Sequence, residues 1–339
     1  MKNSPSDPGP VRDFIGYGRH KPRVSWPQNA AAVVNFCIAY EEGAERSILD
    51  GDARGESLGP GREPKPGHRD LAVESIYEYG SRAGIWRIAD LLDEYSLPAT
   101  LFAPAVALEK NPEVSQWVAE RGHDICAHGW RWTDPAELTQ DQERERIKLA
   151  VESIEQTCGR RPVGWRSRTG PSLHTRRLLV EEGGFIYDSD AYNDDLPYFT
   201  EVGAREHLVV PYTLTYTEGR LVQPMGFTSP FDFWETCRRG LDELRREGHR
   251  GFPKMMSIGI HPRHTGQAGR MAGLRDFVEH ALGSGDVLFS TREGIARHWI
   301  RERPAAGKSF KHQQTQEENN DPSDTRNPAP ECSHQRKTC

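Results

Sequence analysis

Four strand-like segments of this 339-residue chain run into polar residues able to hydrolyse an amide. They are Tyr40-Glu41-Glu42-Gly43, Ala127-His128-Gly129, Asp188-Ser189-Asp190 and Gly259-Ile260-His261. Carboxylates and imidazoles can take a proton from water and return one to a leaving nitrogen. In a β/α barrel the strands open their carboxyl ends onto one bowl, so residues distant in sequence can meet over a single substrate. Two adjacent acids after a buried strand cannot both enter the helix-covered face. One of Glu41 and Glu42 is therefore expected at the mouth, where repulsion and partial burial raise its pKa toward that of a useful base. Alone, the acid pair reads as solvated loop charge and a single histidine as a structural residue. Their repetition at strand ends is what points to chemistry.

The elements that must position these groups alternate. An almost unbroken apolar run at 31–38 has the style of a strand buried on both faces. Residues 51–70 are rich in Gly, Pro and charge, suggesting a mobile loop over the mouth. Ile85, Ile88, Leu92 and Tyr95 have helical spacing and predict a helix over 83–95. A strand at 99–103, a helix opened by Asn111-Pro112 and stopped by Gly122, and a strand at 123–127 follow. Thr139 and Gln142 form a capping-box pattern that opens a helix to about 157. Then come strand 163–166, helix 172–182, strands 185–188 and 209–214, helix 231–247, strand 255–261, helix 269–282, strand 287–290 and a helix from Arg292. Such alternation implies a parallel sheet with helices outside. Seven or eight units without a linker favour one α/β domain, a distorted (β/α) barrel over 12–303, between a flexible 1–11 and a disordered tail at 304–339. A doubly wound open sheet would need a Gly-rich phosphate loop after the first strand, and the sequence has none.

Composition narrows the partners. The net charge is -6, apolar residues make up 35% and mean hydropathy is -0.74. Neither nucleic acid nor an anionic membrane is an expected partner. No run nears the roughly 18 apolar residues of a membrane span. Met1-Lys2-Asn3-Ser4-Pro5 lacks the apolar stretch of a secretory signal, so a cytoplasmic location is expected. Six cysteines without a CxxC pair suggest neither a zinc cluster nor a disulfide framework. Arg166 and Arg168 lie just past a strand, where one could orient an acid or hold a carbonyl-rich substrate while the other is solvated. Some of Asp188, Asp190, Asp194 and Asp195 must be ordinary loop caps. Pro262 and Arg263 stop the strand before them, Tyr77 reads as packing, and Gly80-Ser81-Arg82 reads as a loop contact.

The order strand–acid pair, strand–His-Gly, strand–Arg, strand–Asp-Ser-Asp, strand–His resembles the polysaccharide deacetylase (NodB-homology) superfamily. Within it, Arg12-Asp13-Phe14-Ile15-Gly16-Tyr17-Gly18, Glu74-Ser75-Ile76-Tyr77-Glu78-Tyr79-Gly80-Ser81-Arg82-Ala83-Gly84, His128-Gly129-Trp130-Arg131-Trp132, Arg168-Thr169-Gly170-Pro171 and Tyr187-Asp188-Ser189-Asp190 resemble the cofactor-independent allantoinase and cyclic imide hydrolase branch. The resemblance implies a NodB-like barrel and a homo-oligomer. Deacetylases of this superfamily carry paired aspartates after the first strand and two metal-binding histidines four residues apart. Here Glu41 and Glu42 replace the first pair, and Trp132 stands where the second histidine would be. An indole cannot ligate a metal, and catalytic zinc takes three protein ligands. Either the metal is gone, as the resemblance implies, or a divalent ion such as zinc sits in a weaker site with Glu42 and His128.

The reading that results is a hydrolase opening a small cyclic amide, an imide or ureide, without a cofactor. Glu41 or Glu42 is the expected base and His261 the acid, with His128 at the carbonyl. Asp190 and Arg168 take orienting roles by analogy with the superfamily. Trp132 offers a flat apolar wall suited to a small ring, and Arg166 and Arg168 complete the substrate contacts. The alternative reading is metal-dependent N-deacetylation of an acetylated sugar or small amide.

Overall fold

The computed structural model describes residues 9–57, 63–219 and 229–304. The expected disordered tail beyond residue 304, the first eight residues of the expected flexible start and residues 58–62 of the expected mouth loop lie outside that description. In chain order the strands are β1 (Ala32–Ala39), β2 (Ala99–Ala103), β3 (Asp124–Ala127), β4 (Gly164–Trp165), β5 (Tyr187–Asp188), β6 (Tyr198–Val202), β7 (Arg205–Val209), β8 (Lys254–Ile260) and β9 (Val287–Phe289). The sheet runs β6-β7-β5-β4-β3-β2-β1-β8. Every pairing is parallel except that of β6 with β7.

All of β1 is buried, as its nearly unbroken apolar run requires, with Asn35 the one polar residue in it. One edge of β1 pairs with β8 over residues 32–38. The other edge is shared, β9 taking residues 32–34 and β2 residues 36–39. The far side of β8 receives scattered bonds from the chain around β6 and β7. Gly259 N–H donates to Tyr216 O at 2.9 Å and Met255 N–H to Asp195 O at 3.1 Å. The sheet thus curls into the distorted barrel that the sequence suggested.

The described α-helices are α1 (Leu71–Tyr79), α2 (Ile85–Glu94), α3 (Ala105–Lys110), α4 (Pro112–Arg121), α5 (Gln140–Cys158), α6 (Thr175–Glu182), α7 (Pro230–His249), α8 (Pro262–Thr265), α9 (Ala268–Gly283) and α10 (Arg292–Glu302). The capping box at Thr139 and Gln142 is present at the start of α5, and Gly122 ends α4 in the left-handed region. Alternation along β1 separates two packing faces. Val34, Phe36, Ile38 and Tyr40 pack with the helices, whereas Val33 and Cys37 pack inside the barrel with Phe102, Cys126, Tyr187 and Met255.

Two expectations are corrected. Gly80-Ser81-Arg82 is not a loop contact, because Gly80–Gly84 is a π-helical turn fusing α1 to α2. The two glycines serve close approach: a Cβ at Gly80 would collide with Glu42 Oε1, and one at Gly84 with the carbonyl of Pro262. Residues 209–214 are not a strand. The ladder stops at Val209, and the chain instead turns inward, with Val210 and Tyr212 buried in the barrel interior. Pro211 has no N–H to continue a ladder.

Arg292, at the start of α10, satisfies that inward turn. It is fully buried, and its Nη2 donates to the carbonyls of Val210 and Pro211 at 2.6 and 2.7 Å. Its Nε and Nη1 donate to Ser189 Oγ at 2.9 Å and Ser257 Oγ at 2.7 Å. Arg292→Met would strand both carbonyls away from water, at about 1–3 kcal/mol each. The variant is expected to unfold at clearly lower urea concentration than the wild type. An unchanged midpoint and slope would remove Arg292 from this account.

Candidate active site

Alternation beyond β1 decides which acid enters the bowl. Glu41 continues the inward series of Val33 and Cys37, and Glu42 continues the outward series of Ile38 and Tyr40. Glu41 Oε1 lies 3.5 Å from His128 Nε2 and 3.9 Å from His261 Nε2. Its Oε2 accepts from Arg263 Nη2 at 2.7 Å. Glu42 turns instead toward the glycine turn. Its Oε2 accepts from the Glu41 N–H at 2.8 Å, and its Oε1 from Arg263 N and Nη1 at 3.3 and 3.4 Å. The structure therefore brings Glu41, His128 and His261 together and leaves Glu42 behind them.

The electrostatics invert the expectation of a raised base at the mouth. Burial pushes the Glu41 carboxyl up, but Arg263 and then His261 outweigh it and hold it well below the usual carboxylate range. For Glu42, burial dominates over Arg263, and with the repulsion of Glu41 it pushes the carboxyl up to about 7. The acid facing the imidazoles is the ionised one. The acid with the raised pKa faces the helix turn.

His261 has a partner that the sequence reading missed. The Thr217–Gly259 bridge brings the fully buried Glu218 beside it. Glu218 Oε1 accepts from His261 Nδ1 at 3.1 Å and also from the His261 main-chain N–H, while Glu218 Oε2 has no hydrogen-bond partner among the described residues. Burial alone would lower the imidazole pKa, but Glu218 and then Glu41 outweigh it and raise it. When this imidazole is protonated, its Nδ1–H serves Glu218 and its second proton sits on Nε2, facing Glu41. Glu218 lies beyond the end of the expected strand at 209–214, on an irregular segment, so nothing in the sequence marked it.

His128 is fixed differently. Its Nδ1 lies 2.6 Å from Arg166 O, an acceptor only, so that nitrogen carries the hydrogen. Its Nε2 then accepts from Trp132 Nε1 at 3.0 Å. This imidazole has no N–H left to offer a carbonyl, contrary to the role expected for it. Asp190 supports the arrangement from a distance. Its Oδ1 accepts from Arg166 Nη1 and Ser167 N at 2.9 and 2.7 Å, and its Oδ2 from Ser167 Oγ at 2.7 Å. Arg166 is buried, bonds to the Tyr192 hydroxyl and lies over the rings of Tyr192 and Tyr212. It braces the site and is not an open substrate contact. Arg168 stacks on the Trp132 ring at 3.7 Å, donates to Trp132 O at 2.6 Å and is held by Glu56 Oε1 at 2.9 Å. One face of the flat wall is thus already covered from within the protein.

These contacts also test the metal that a deacetylase site implies. The suggested pair of Glu42 and His128 does not present lone pairs to a common point. His128 Nε2 is engaged by the indole, both Glu42 oxygens by N–H donors, and Glu41 Oε2 by a guanidinium. The residues do not fit a divalent ion.

Glu218→Gln should leave desolvation as the main influence on His261. Its imidazole titration, followed by NMR, is then expected to move to lower pH than in the wild type. A midpoint that stays or rises would show that Glu218 does not hold the proton there.

Comparison with known proteins agrees with the fold. The sequence model described as polysaccharide deacetylase matches residues 67–187. A Schizosaccharomyces pombe protein named after that family is 36% identical over 315 residues, 87% of this chain and 98% of its own length. The structure of PuuE allantoinase is 42% identical with a TM-score of 0.83, covering 87% of this chain and 98% of that one. A Pseudomonas aeruginosa PAO1 structure described as a probable polysaccharide deacetylase is 43% identical with a TM-score of 0.82, over 87% and 99% of the two chains. The full-length match to these proteins, over a shared barrel, shows that the chain belongs to the polysaccharide deacetylase family of hydrolases.

Proposed function

We propose that this protein opens the C–N bond of a small cyclic amide, an imide or ureide, by attack of water on a ring carbonyl. The observation that carries the reading is the pairing across the bowl of ionised Glu41 with the Nε2–H of His261, 3.9 Å apart. A carboxylate that stays charged can accept a proton from water held against it, and an imidazolium can give one to nitrogen. Glu41 takes one proton as the water oxygen bonds to the ring carbon. His261 passes its Nε2 proton to the ring nitrogen as the C–N bond breaks. The product carries a carboxyl at one end and the freed amide or urea nitrogen at the other. Glu41 then returns its proton to His261, restoring both groups. Glu42 enters no step of this sequence, since its oxygens are held by Arg263 and the Glu41 amide.

The substrate class draws support from two sides. The PuuE neighbour is an allantoinase, and its likeness runs across the whole barrel. Trp132 and Arg168, locked on each other, narrow the bowl beside Glu41. A compact ring suits such a mouth better than a polymer chain does. The relatives named after polysaccharide deacetylases favour the second reading, metal-dependent N-deacetylation. Against it stands the engagement of the donor atoms by Trp132 and Arg263.

A panel of hydantoins, ureides, succinimides and glutarimides, assayed with and without a chelator, separates the two. Ring opening that persists in chelator is expected, with N-acetylated sugars left intact. Chelator-sensitive release of acetate would overturn the reading. On the substrate so found, Glu41→Gln and His261→Ala should each lower kcat by about 10²–10⁴. Glu42→Gln is expected to lower it far less. Equal losses at Glu41 and Glu42 would contradict the division of labour.

A further inference from the structure

Arg263 was legible in the sequence only as a residue that helps to end a strand, and the reaction above gives it no step. Its placement is unusual. It is buried, directly after Pro262 on α8, and faces both acids of the pair. Its guanidinium also lies 4.6 Å from the ring centroid of Tyr77 and 5.7 Å from that of Trp132. Two adjacent carboxyl groups stay ionised in a buried site only with a compensating positive charge beside them. Here the compensation comes from the chain itself. The approach of α8 that delivers it depends on Gly84, whose missing Cβ leaves room for the Pro262 carbonyl.

We propose that Arg263 is the resident cation of this site. It neutralises Glu41 and Glu42 where a divalent ion would otherwise be required, and it stabilises the negative oxygen that develops on the attacked carbonyl. The second half rests on the ring-opening reading; the first half does not. Both Nη1 and Nη2 bind a carboxylate oxygen, and each nitrogen carries a second N–H. An oxygen anion formed on a carbon held beside Glu41 meets that fork, which is already charged and already oriented. Preorganised donors of this kind need no rearrangement as charge develops. His128, with its Nε2 accepting from Trp132, cannot do this work. The guanidinium also repels any metal that approaches the same carboxylates.

Zinc uptake, measured by equilibrium dialysis and metal analysis on the full chain, tests the first half without any substrate. Trp132→His restores a second imidazole four residues from His128 yet keeps Arg263. That variant is expected to take up no stoichiometric zinc, as is the wild type. The double variant Trp132→His/Arg263→Met is expected to take up about one zinc per chain and to gain thermal stability from it. One zinc in the wild type or in the Trp132→His single variant would overturn the proposal. So would a folded double variant that binds none. If the double variant folds only when zinc is supplied, that is the expected stabilisation in its extreme form, and the single variant still decides.

Turnover of a cyclic amide found by the substrate panel tests the second half. Arg263→Lys keeps the charge but not the fork, and kcat should fall by about 10²–10³ with a smaller change in KM. Unchanged kcat in Arg263→Lys would remove the oxyanion role. If the wild type opens no cyclic amide, the ring-opening reading fails by itself, and the zinc measurement still judges Arg263 as the cation.

Discussion

Two neighbouring carboxylates are buried at the end of the first strand, and much of the surrounding structure answers to that constraint. A charge removed from water is tolerated only with a partner and with hydrogen bonds for its remaining lone pairs. Glu41 and Glu42 satisfy it by splitting apart. One enters the barrel and the other packs against the helix layer, and a single guanidinium reaches both. The glycines of the π-helical turn then follow from geometry. Gly80 makes room for Glu42, and Gly84 makes room for the short helix that carries Arg263. Tyr40 adds a further tie, its hydroxyl 2.7 Å from Ser81 Oγ in that turn. An interruption in a helix, a loop after a strand and an ion pair are therefore one arrangement seen from three sides.

The parts of the fold that were legible in the sequence are those where local signal and tertiary demand agree. β1 could be read because every position except Asn35 is apolar and every position is buried. α5 could be read because its capping box is a local hydrogen-bond pattern, independent of what the helix packs against. The misreadings have a shared cause. Residues 209–214 look like a strand because Val209, Val210 and Tyr212 are apolar, but two of them are buried by turning into the barrel rather than by pairing. The β6–β7 hairpin was overlooked because β6 is only half-buried and shows little alternation. α1 escaped notice because only Val73 and Tyr77 are buried on it, one turn apart, which is too short a stripe to register.

The site divides along the same line. Glu41, His128 and His261 stand where strands end, and a strand end is visible in a sequence because the apolar run stops. The choice between Glu41 and Glu42 was not within reach: parity puts them on opposite faces, but β1 is buried on both, so only the closed barrel shows that the odd residues point inward. Glu218 and Glu56 were not within reach. Each sits on an irregular segment and acquires its role only when the barrel closes over it. Arg263 was hidden differently: its position after Pro262 reads as a strand stop, and nothing local announces that its side chain turns back to meet residues more than two hundred positions earlier.

The mouth of the bowl is built as a chain of dependent contacts, and that chain sets the shape of the cleft. Asp190 holds Arg166, whose carbonyl holds His128, whose Nε2 holds the indole of Trp132. The indole is a donor only, so the bond fixes its direction as well as its position. From the other side Arg168 lies on the ring and is itself anchored by Glu56. Nearby, Asp52 holds Arg131 through two oxygens at the base of the same loop. The wall beside Glu41 is therefore tied to the 51–57 segment. Changes of sequence in that loop can resize the cleft without touching Glu41, His261 or Arg263. The 51–57 segment thus governs the width of the cleft, while the buried acids and their guanidinium are held by contacts that do not involve it.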